Sequence, residues 1–250
     1  MTYKKYGMLL LLLCVGVFTA CGQKKQQIAA EENPYFIIQE QLSEILTVKL
    51  SGLAILEIQN ILSDGIKNGE FADYRQAYEM VSRLCDLESS GEMKYNLIYV
   101  DEDDIPELAA GESGYYMNLY TWNNGKIYTL MDNWAYGAMG NAGYEYSAKK
   151  NSIKNDNSDY AGAILHRTYM SINETDKLDT IVQIKTYNFD DVNQNGILDE
   201  DEMESFGKYS VNYIGSKKIT DEEYNSYGTG TYQYIEVPMD IETLKSNLNQ

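Results

Sequence analysis

Apolar positions divide the chain into a helical first part and a strand-rich remainder. Between residues 35 and 62, isoleucine and leucine recur at helical spacing and charged residues interrupt the run, which predicts an amphipathic helix with a break at Gly52. A second helix is predicted over residues 74–87, with Cys85 on its buried face. From residue 93 onwards, β-branched and aromatic residues dominate the apolar positions, and this composition favours strands.

Turn and cap signals place the smaller elements. An Asn-Gly pair at 124–125 favours a β-hairpin, and capping residues at Thr220 and Asp240 predict two short helices near the C-terminus. The glycine-rich stretch 134–146 is predicted to be an irregular surface loop, and 151–159 a polar turn. Strands are predicted over residues 95–100, 115–122, 126–131, 162–173, 180–189, 208–214 and 232–237.

The first twenty residues have the pattern of a secretory signal. Lys4 and Lys5 precede an apolar run over residues 7–18, which is too short to be a membrane span. Residues 18–21, with the sequence FTAC, resemble the lipobox of bacterial lipoproteins. This resemblance implies cleavage before Cys21 and attachment of diacylglycerol to its thiol, which would anchor the chain on the outer face of the cell membrane. The alternative is an ordinary secretory signal that leaves Cys21 unmodified.

Charge and cysteine content narrow the function classes. The formal net charge is −18, and so acidic a surface repels phosphate backbones, so we expect no nucleic-acid partner. Apolar residues make up 44% of the chain, which is enough for a buried core. Once the signal is removed and Cys21 is lipidated, Cys85 has no cysteine left with which to form an intrachain disulfide. We expect it to be a buried, unreactive thiol.

Residues 191–202 carry the clearest chemical motif in the chain. Their sequence, DVNQNGILDEDE, has oxygen-bearing side chains at positions 1, 3, 5, 9 and 12 of a twelve-residue loop and glycine at position 6. Calcium prefers about six to eight oxygen ligands, and this spacing supplies them. The stretch resembles the calcium loop of the EF-hand family. The resemblance implies these Ca²⁺ ligands: Asp191, Asn193, Asn195, the Ile197 carbonyl, Asp199 and Glu202.

The flanks of this loop depart from the EF-hand pattern. An EF-hand helix precedes the loop, whereas residues 180–189 are predicted to be a strand. Residues 199–206 are predicted to form about two turns of helix after it. The chain therefore resembles a strand–loop–helix variant. A solvated acidic turn is the alternative interpretation.

A second acidic stretch precedes the sequence IPEL. Asp101, Asp103 and Glu107 resemble the ligands of short DxDxDGxPEL calcium loops in extracellular repeat proteins. Tyr99 stands where the first aspartate of that pattern belongs, and Asp104 replaces its glycine. These residues form a candidate second metal loop of weaker affinity, and a solvated loop is the alternative.

The predicted organisation has an α+β fold class. N-terminal helices are expected to pack on a mainly antiparallel β-sheet, with the strand, calcium loop and helix as an insertion. The predicted parts are a lipoprotein signal peptide at 1–20, a tether at 21–34, a helical segment at 35–90 and a β-rich α+β domain at 91–250.

No catalytic motif is recognisable in the sequence. His166 is the single histidine, and the chain contains no HExxH, CxxC or GxSxG motif, so we do not expect an enzyme. Trp122, Trp134, Tyr136 and Tyr144 are candidates for stacking against a sugar ring, because tryptophan and tyrosine present flat apolar faces.

Residues 1–250 as a whole are similar to cell-surface lipoproteins of Gram-positive bacteria that share IPEL and NAGYEY-type stretches. The resemblance implies an extracellular location and a calcium loop, and it implies little about activity. We expect a lipid-anchored surface protein that binds Ca²⁺ and has a structural or binding role, with a glycan or a surface protein as partner. The alternatives are a carbohydrate- or peptide-binding lipoprotein of an uptake system and, third, a hydrolase.

Overall fold

The computed structural model describes residues 52–89, 91–112, 114–137 and 140–250. The predicted signal peptide, the lipobox with Cys21, the tether and the first part of the amphipathic run lie outside these residues. Within the described ranges, no helix has both the length and the apolar character that crossing a membrane requires.

Two helices form the first layer of an α+β fold. Helix α1 is Gly52–Asn68 and helix α2 is Tyr74–Glu88. Asp73 caps α2, since its side chain accepts a hydrogen bond from the Arg75 N–H at 2.7 Å. Cys85 of α2 is only 5% exposed, which confirms the predicted burial. Burial also raises the pKa of this thiol to about 11, so that it stays protonated near neutral pH.

A four-stranded antiparallel sheet forms the second layer, and its strands lie in chain order. The φ angles of Asn124 and Gly125, 49° and 87°, are those of the predicted Asn-Gly hairpin turn between its last two strands. Its strands are β1 Lys94–Ile98, β2 Glu107–Glu112, β3 Tyr116–Asn123 and β4 Lys126–Ala135.

A seven-stranded antiparallel sheet forms the third layer, in the order β10-β9-β8-β7-β6-β5-β11. The sequence predicted one sheet and the structure has two, because the turn signals specify neighbours along the chain but not where one sheet ends. Its strands are β5 Asn141–Ser147, β6 Ser152–Asp159, β7 Ile164–Ile172, β8 Leu178–Tyr187, β9 Val211–Ile214, β10 Lys217–Ile219 and β11 Gln233–Tyr234.

Successive side chains of β2 pack into two different hydrophobic clusters, one on each side of the first sheet. Leu108 and Ala110 belong to the buried cluster that includes the helices, whereas Ala109 between them belongs to the cluster shared with the second sheet. Successive side chains of a strand point to opposite faces, so the first sheet is covered on both sides. Two shorter helices follow, α3 Asp221–Ser226 and α4 Ile241–Leu248.

Both short helices have the predicted N-caps. The Thr220 hydroxyl accepts a hydrogen bond from the Glu223 N–H at 3.1 Å, and the Asp240 carboxylate accepts one from the Thr243 N–H at 2.8 Å. Helix α4 buries Leu244 and Leu248 in the same cluster as α1 and α2. The C-terminus therefore returns to the first layer.

Two predictions about irregular segments are wrong. Residues 134–146 contain the end of β4 and most of β5, and residues 151–159 form β6, an interior strand of the second sheet. Strand β6 is largely polar because one of its faces carries cross-strand ion pairs, which lie beside tyrosine rings. Arg167 of β7 contacts Asp156 at 2.6 Å. A sequence pattern that looks for alternating apolar residues does not detect such a strand.

Candidate metal site

Strand β8 ends at Tyr187, shortly before residues 191–202, which are called the long loop here. This confirms the prediction that a strand precedes the loop. Phe189, which follows the strand, is 1% exposed and packs with Leu198 from within the loop. The Asn188 side-chain amide donates to the Gly162 carbonyl oxygen at 2.7 Å. The base of the loop is therefore fixed to the sheet by apolar packing and by hydrogen bonds.

The predicted two-turn helix after the long loop is wrong. The chain forms only a short 3₁₀ turn, Met203–Ser205. The Ser205 hydroxyl oxygen accepts a hydrogen bond from the Asp190 N–H at 2.8 Å, and the Gly207 N–H donates to the Asn188 carbonyl oxygen at 2.8 Å. These bonds draw the chain back to the end of β8 before a second helical turn can form.

Asp191 begins the loop with its two carboxylate oxygens in different environments. Oδ2 accepts a hydrogen bond from the Gly196 N–H at 3.0 Å. Oδ1 is buried and has no hydrogen-bond partner among the described residues. Gly196 has a φ of 73°, a left-handed conformation that glycine adopts without strain, so the predicted turn at position 6 is present. Because of this turn, Asp191 Oδ2 binds a backbone N–H, whereas Oδ1 has no hydrogen-bond partner among the described residues.

The asparagines at positions 3 and 5 shape the middle of the loop. Asn193 Oδ1 accepts a hydrogen bond from the Asn195 N–H at 2.9 Å, and Asn195 Oδ1 accepts one from the Ile197 N–H at 2.8 Å. Each is an Asx-type turn in which a side-chain oxygen holds the backbone two residues ahead. The side chains at positions 3 and 5 therefore hold the backbone of the loop in two successive turns.

Glu202 closes the loop from inside and is only 4% exposed. Its Oε1 accepts a hydrogen bond from the Val192 N–H at 2.8 Å, and its Oε2 accepts one from the Asp199 N–H at 3.3 Å. Backbone donors on both oxygens hold the carboxylate in one orientation. Glu202, at position 12, is thus hydrogen-bonded to the backbone at positions 2 and 9.

Asp199 faces the asparagines across the loop. Its Oδ2 accepts hydrogen bonds from the side-chain amides of Asn193 and Asn195, each at 2.7 Å. Among the described residues, no group of three His, Cys, Asp or Glu side chains is arranged to hold a metal ion. Two of the predicted side-chain ligands are amides, and those amides now donate to Asp199. Coordination of a cation would require them to turn their oxygens inward.

The donor set of the long loop nonetheless fits a hard cation. It offers carboxylate, amide and carbonyl oxygens and no nitrogen or sulfur ligand, which suits Ca²⁺ and not a softer transition metal. Comparisons with protein-family models, with curated proteins and with solved structures found no match to this chain.

Residues 99–107, called the short loop here, repeat part of this hydrogen-bond pattern. Asp101 Oδ1 accepts a hydrogen bond from the Asp103 N–H at 3.1 Å, and Asp103 Oδ1 accepts one from the Ile105 N–H at 2.7 Å. Glu107 Oε2 accepts one from the Val100 N–H at 2.7 Å. Each of the three candidate ligands of the second loop thus accepts a hydrogen bond from a backbone N–H of the short loop.

Glu107 occupies a more enclosed position than the sequence indicates. It is 1% exposed, and its second oxygen accepts a hydrogen bond from the Thr121 hydroxyl at 3.4 Å. Burial, reinforced by the nearby Asp101 and Asp103 carboxylates, raises the pKa of Glu107 to about 8. Its carboxyl group is therefore largely protonated at neutral pH in the absence of a cation.

The other candidate residues lie in structural positions. Tyr144 is 4% exposed and contacts Trp134 with ring centroids 5.9 Å apart. Trp122 packs in the cluster with the helices, whereas Trp134 and Tyr136 pack in the cluster between the sheets, so the four aromatic candidates form no common surface. His166 lies in β7, and its Nε2 is 3.1 Å from an Asp159 carboxylate oxygen.

Proposed function

We propose that this chain is a lipid-anchored extracellular surface protein that binds Ca²⁺ through the long loop and has a structural or binding role. The observation that carries the calcium proposal is the buried Asp191 Oδ1, which has no hydrogen-bond partner in the described part of the chain. A buried carboxylate oxygen without a partner is costly, and a cation in the loop would remove that cost.

The proposed ligand set is the one that the loop sequence implies. Asp191, Asp199 and Glu202 supply three formal negative charges, and a bound Ca²⁺ offsets two of them. The side-chain oxygens of Asn193 and Asn195, and the carbonyl of residue 197, complete the set. Because the chain returns to the end of β8 just after Glu202, a cation in the loop stabilises the link between β8 and the following segment.

The expected affinity is modest. Single extracellular calcium modules have a Kd of roughly 10⁻⁴ to 10⁻³ M, and two of the side-chain ligands in the long loop are neutral. At about 1 mM Ca²⁺, binding at this strength stabilises the fold by roughly 0.4 to 1.4 kcal/mol. We expect Mg²⁺ to substitute poorly because it requires a smaller and more regular shell.

Thermal unfolding of the full-length chain in millimolar Ca²⁺ and in chelator tests the proposal. Glu202→Gln removes the closing carboxylate and should abolish most of the calcium-dependent rise in Tm. Asp201→Asn is the matched control, since this exposed neighbour is outside the ligand positions. If the parent does not respond to Ca²⁺, or if both variants respond as the parent does, the long loop is only an acidic turn.

The anchor is a separate part of the proposal and is based on the lipobox sequence alone. Cys21→Ser should leave an unprocessed precursor or release the chain to the medium, because no thiol remains to receive the lipid. Membrane fractionation and the size of the mature protein are the measurements. A variant that is processed and held at the membrane like the parent contradicts the anchor without affecting the calcium proposal.

A further inference from the structure

A cleft of about 540 Å³ opens beside the long loop. The end of β8, the segment leading into β9 and the β9–β10 hairpin line it together with Asp190 and Asp191. Its volume falls within the range of roughly 300–1,000 Å³ that is usual for small-ligand sites. The first predicted calcium ligand is therefore also part of the wall of a cleft.

The cleft contains two lysines in a strongly acidic chain. Lys185 and Lys218 both line it, and neither has a carboxylate partner among the described residues. The Lys185 ammonium instead lies 4.6 Å from the centroid of the Tyr187 ring. Asp190 and Asp191 balance these two positive charges. Counted together, the two lysines, Asp190 and the three carboxylate ligands of the loop carry a formal charge of −2, which a bound Ca²⁺ would raise to zero.

Tyrosines form the apolar part of the cleft. Tyr187 and Tyr213 meet edge to face with ring centroids 5.7 Å apart, and Tyr209 is 47% exposed. Tyr187 also reaches the turn of the long loop, because a Cβ atom on Gly196 would lie 2.9 Å from its hydroxyl oxygen. The loop and the cleft therefore share a side chain as well as a carboxylate.

We propose that this cleft binds an acidic saccharide, a sugar that carries a carboxylate or a phosphate, and that Ca²⁺ in the long loop strengthens the binding. The flat apolar face of a sugar ring fits against an exposed tyrosine, and its anionic group is attracted to the two unpaired lysines. The calcium dependence rests on the proposed function. It follows from the change of formal charge and from the contact between Tyr187 and the loop.

Titration calorimetry of the full-length chain tests the proposal. The probes are a glucuronate-containing tetrasaccharide, a hexose phosphate and a neutral glucose tetrasaccharide, each in millimolar Ca²⁺ and in chelator. We expect one acidic probe to bind at least roughly fivefold more tightly with Ca²⁺, which is the lower range of ordinary coupling between sites. The two acidic probes distinguish carboxylate from phosphate recognition. The same probe should raise the affinity for Ca²⁺ by the same factor.

Lysine variants locate the binding site. Lys218→Gln should weaken binding of the acidic probe roughly tenfold, as expected for the loss of a charge-assisted contact. Lys217→Gln is the matched control, because the Lys217 ammonium pairs with Glu223 at 2.9 Å and does not line the cleft. Equal effects of the two substitutions would overturn the assignment to this cleft.

The outcomes separate this proposal from the calcium proposal. If Ca²⁺ binds and neither acidic saccharide does, the cleft proposal fails and the calcium proposal stands. If the acidic probe binds equally in Ca²⁺ and in chelator, the coupling is overturned. Preference for the neutral tetrasaccharide would overturn the role of the lysines.

Discussion

The long and short loops form the same backbone turns, and each is closed by a glutamate in a different environment. In each loop, the side-chain oxygen at one position accepts a hydrogen bond from the backbone N–H two residues later, and this occurs twice in succession. A glutamate then accepts a hydrogen bond from the N–H of Val192 in the long loop and of Val100 in the short loop. The shared pattern is set by side chains whose oxygen accepts hydrogen bonds, whether aspartate or asparagine.

The closing glutamates differ in what surrounds them. Glu202 contacts backbone N–H groups of its own loop on both oxygens. Glu107 lies in strand β2, takes one hydrogen bond from the Thr121 hydroxyl on β3, and has a pKa raised to about 8. The short loop also has a positive charge beside it, since the Lys149 ammonium forms an ion pair with Asp104. The two loops therefore share their backbone turns but differ in the charges around their candidate cation ligands.

The largest expected difference between the loops is in pH dependence. In chelator, the folded pKa of Glu107 is about 8, against an ordinary value of 4.5. The folded state therefore binds the proton more tightly, so the contribution of Glu107 to stability is fully present below pH 4.5 and is lost as the pH rises to about 8. Each unit between the two pKa values corresponds to about 1.4 kcal/mol, so the free energy of unfolding should fall by several kcal/mol across this window.

Glu107→Gln should remove this dependence. The free energy of unfolding, measured in urea from pH 4.5 to 8, should fall less for the variant than for the parent. Glu236→Gln, which changes an exposed glutamate, should follow the parent. Parallel curves for the parent and Glu107→Gln would mean that the buried carboxyl group does not titrate in this range.

The next largest effect concerns position 6 of each pattern. Gly196→Ala places a side chain at a φ of 73°, 2.9 Å from the Tyr187 hydroxyl oxygen, and should cost roughly 1–3 kcal/mol in chelator. Asp104→Ala removes an exposed residue that has an ordinary negative φ, and should change stability by about 0.5 kcal/mol or less. Urea unfolding of both variants measures the contrast, and equal losses would show that the two turns are equivalent.

Local signals predicted a large part of this fold. The strand before the long loop, the Asn-Gly hairpin and both C-terminal caps are as predicted, because each depends on a few adjacent residues. The burial of Cys85 followed from the helical spacing of its neighbours. The α+β class followed from the order of these elements.

Long-range features were not predictable from such signals. Strand β6 has one core residue, Ile153, and its charged residues pair with residues on other strands, such as Glu145, which contacts Lys154 at 2.8 Å. The helix expected after the long loop is replaced by a 3₁₀ turn because Ser205 and Gly207 bond back to the end of β8. The cleft combines residues from β8 with residues from the β9–β10 hairpin, and no sequence spacing shows that these lie together.

The smallest expected effect comes from exchanging aspartate and asparagine, the side chains that accept the backbone hydrogen bonds, between the two loops. Asn193→Asp and Asn195→Asp give positions 3 and 5 of the long loop the aspartates that the short loop has there. In chelator, both variants should be slightly less stable, because each loses an amide hydrogen bond to Asp199 and gains a repelling charge beside it. With Ca²⁺, affinity should rise several-fold, since the number of charged ligands tunes such sites.

The reverse exchange in the short loop is the control. Asp103→Asn keeps the oxygen that accepts the hydrogen bond from the Ile105 N–H, so stability should change by about 0.5 kcal/mol or less. Thermal unfolding and calcium calorimetry on all three variants provide the comparison. If Asn193→Asp and Asn195→Asp leave the calcium affinity of the long loop unchanged, the side chains at positions 3 and 5 are not ligands. If Asp103→Asn lowers the calcium affinity of the protein instead, the short loop and not the long one holds the ion.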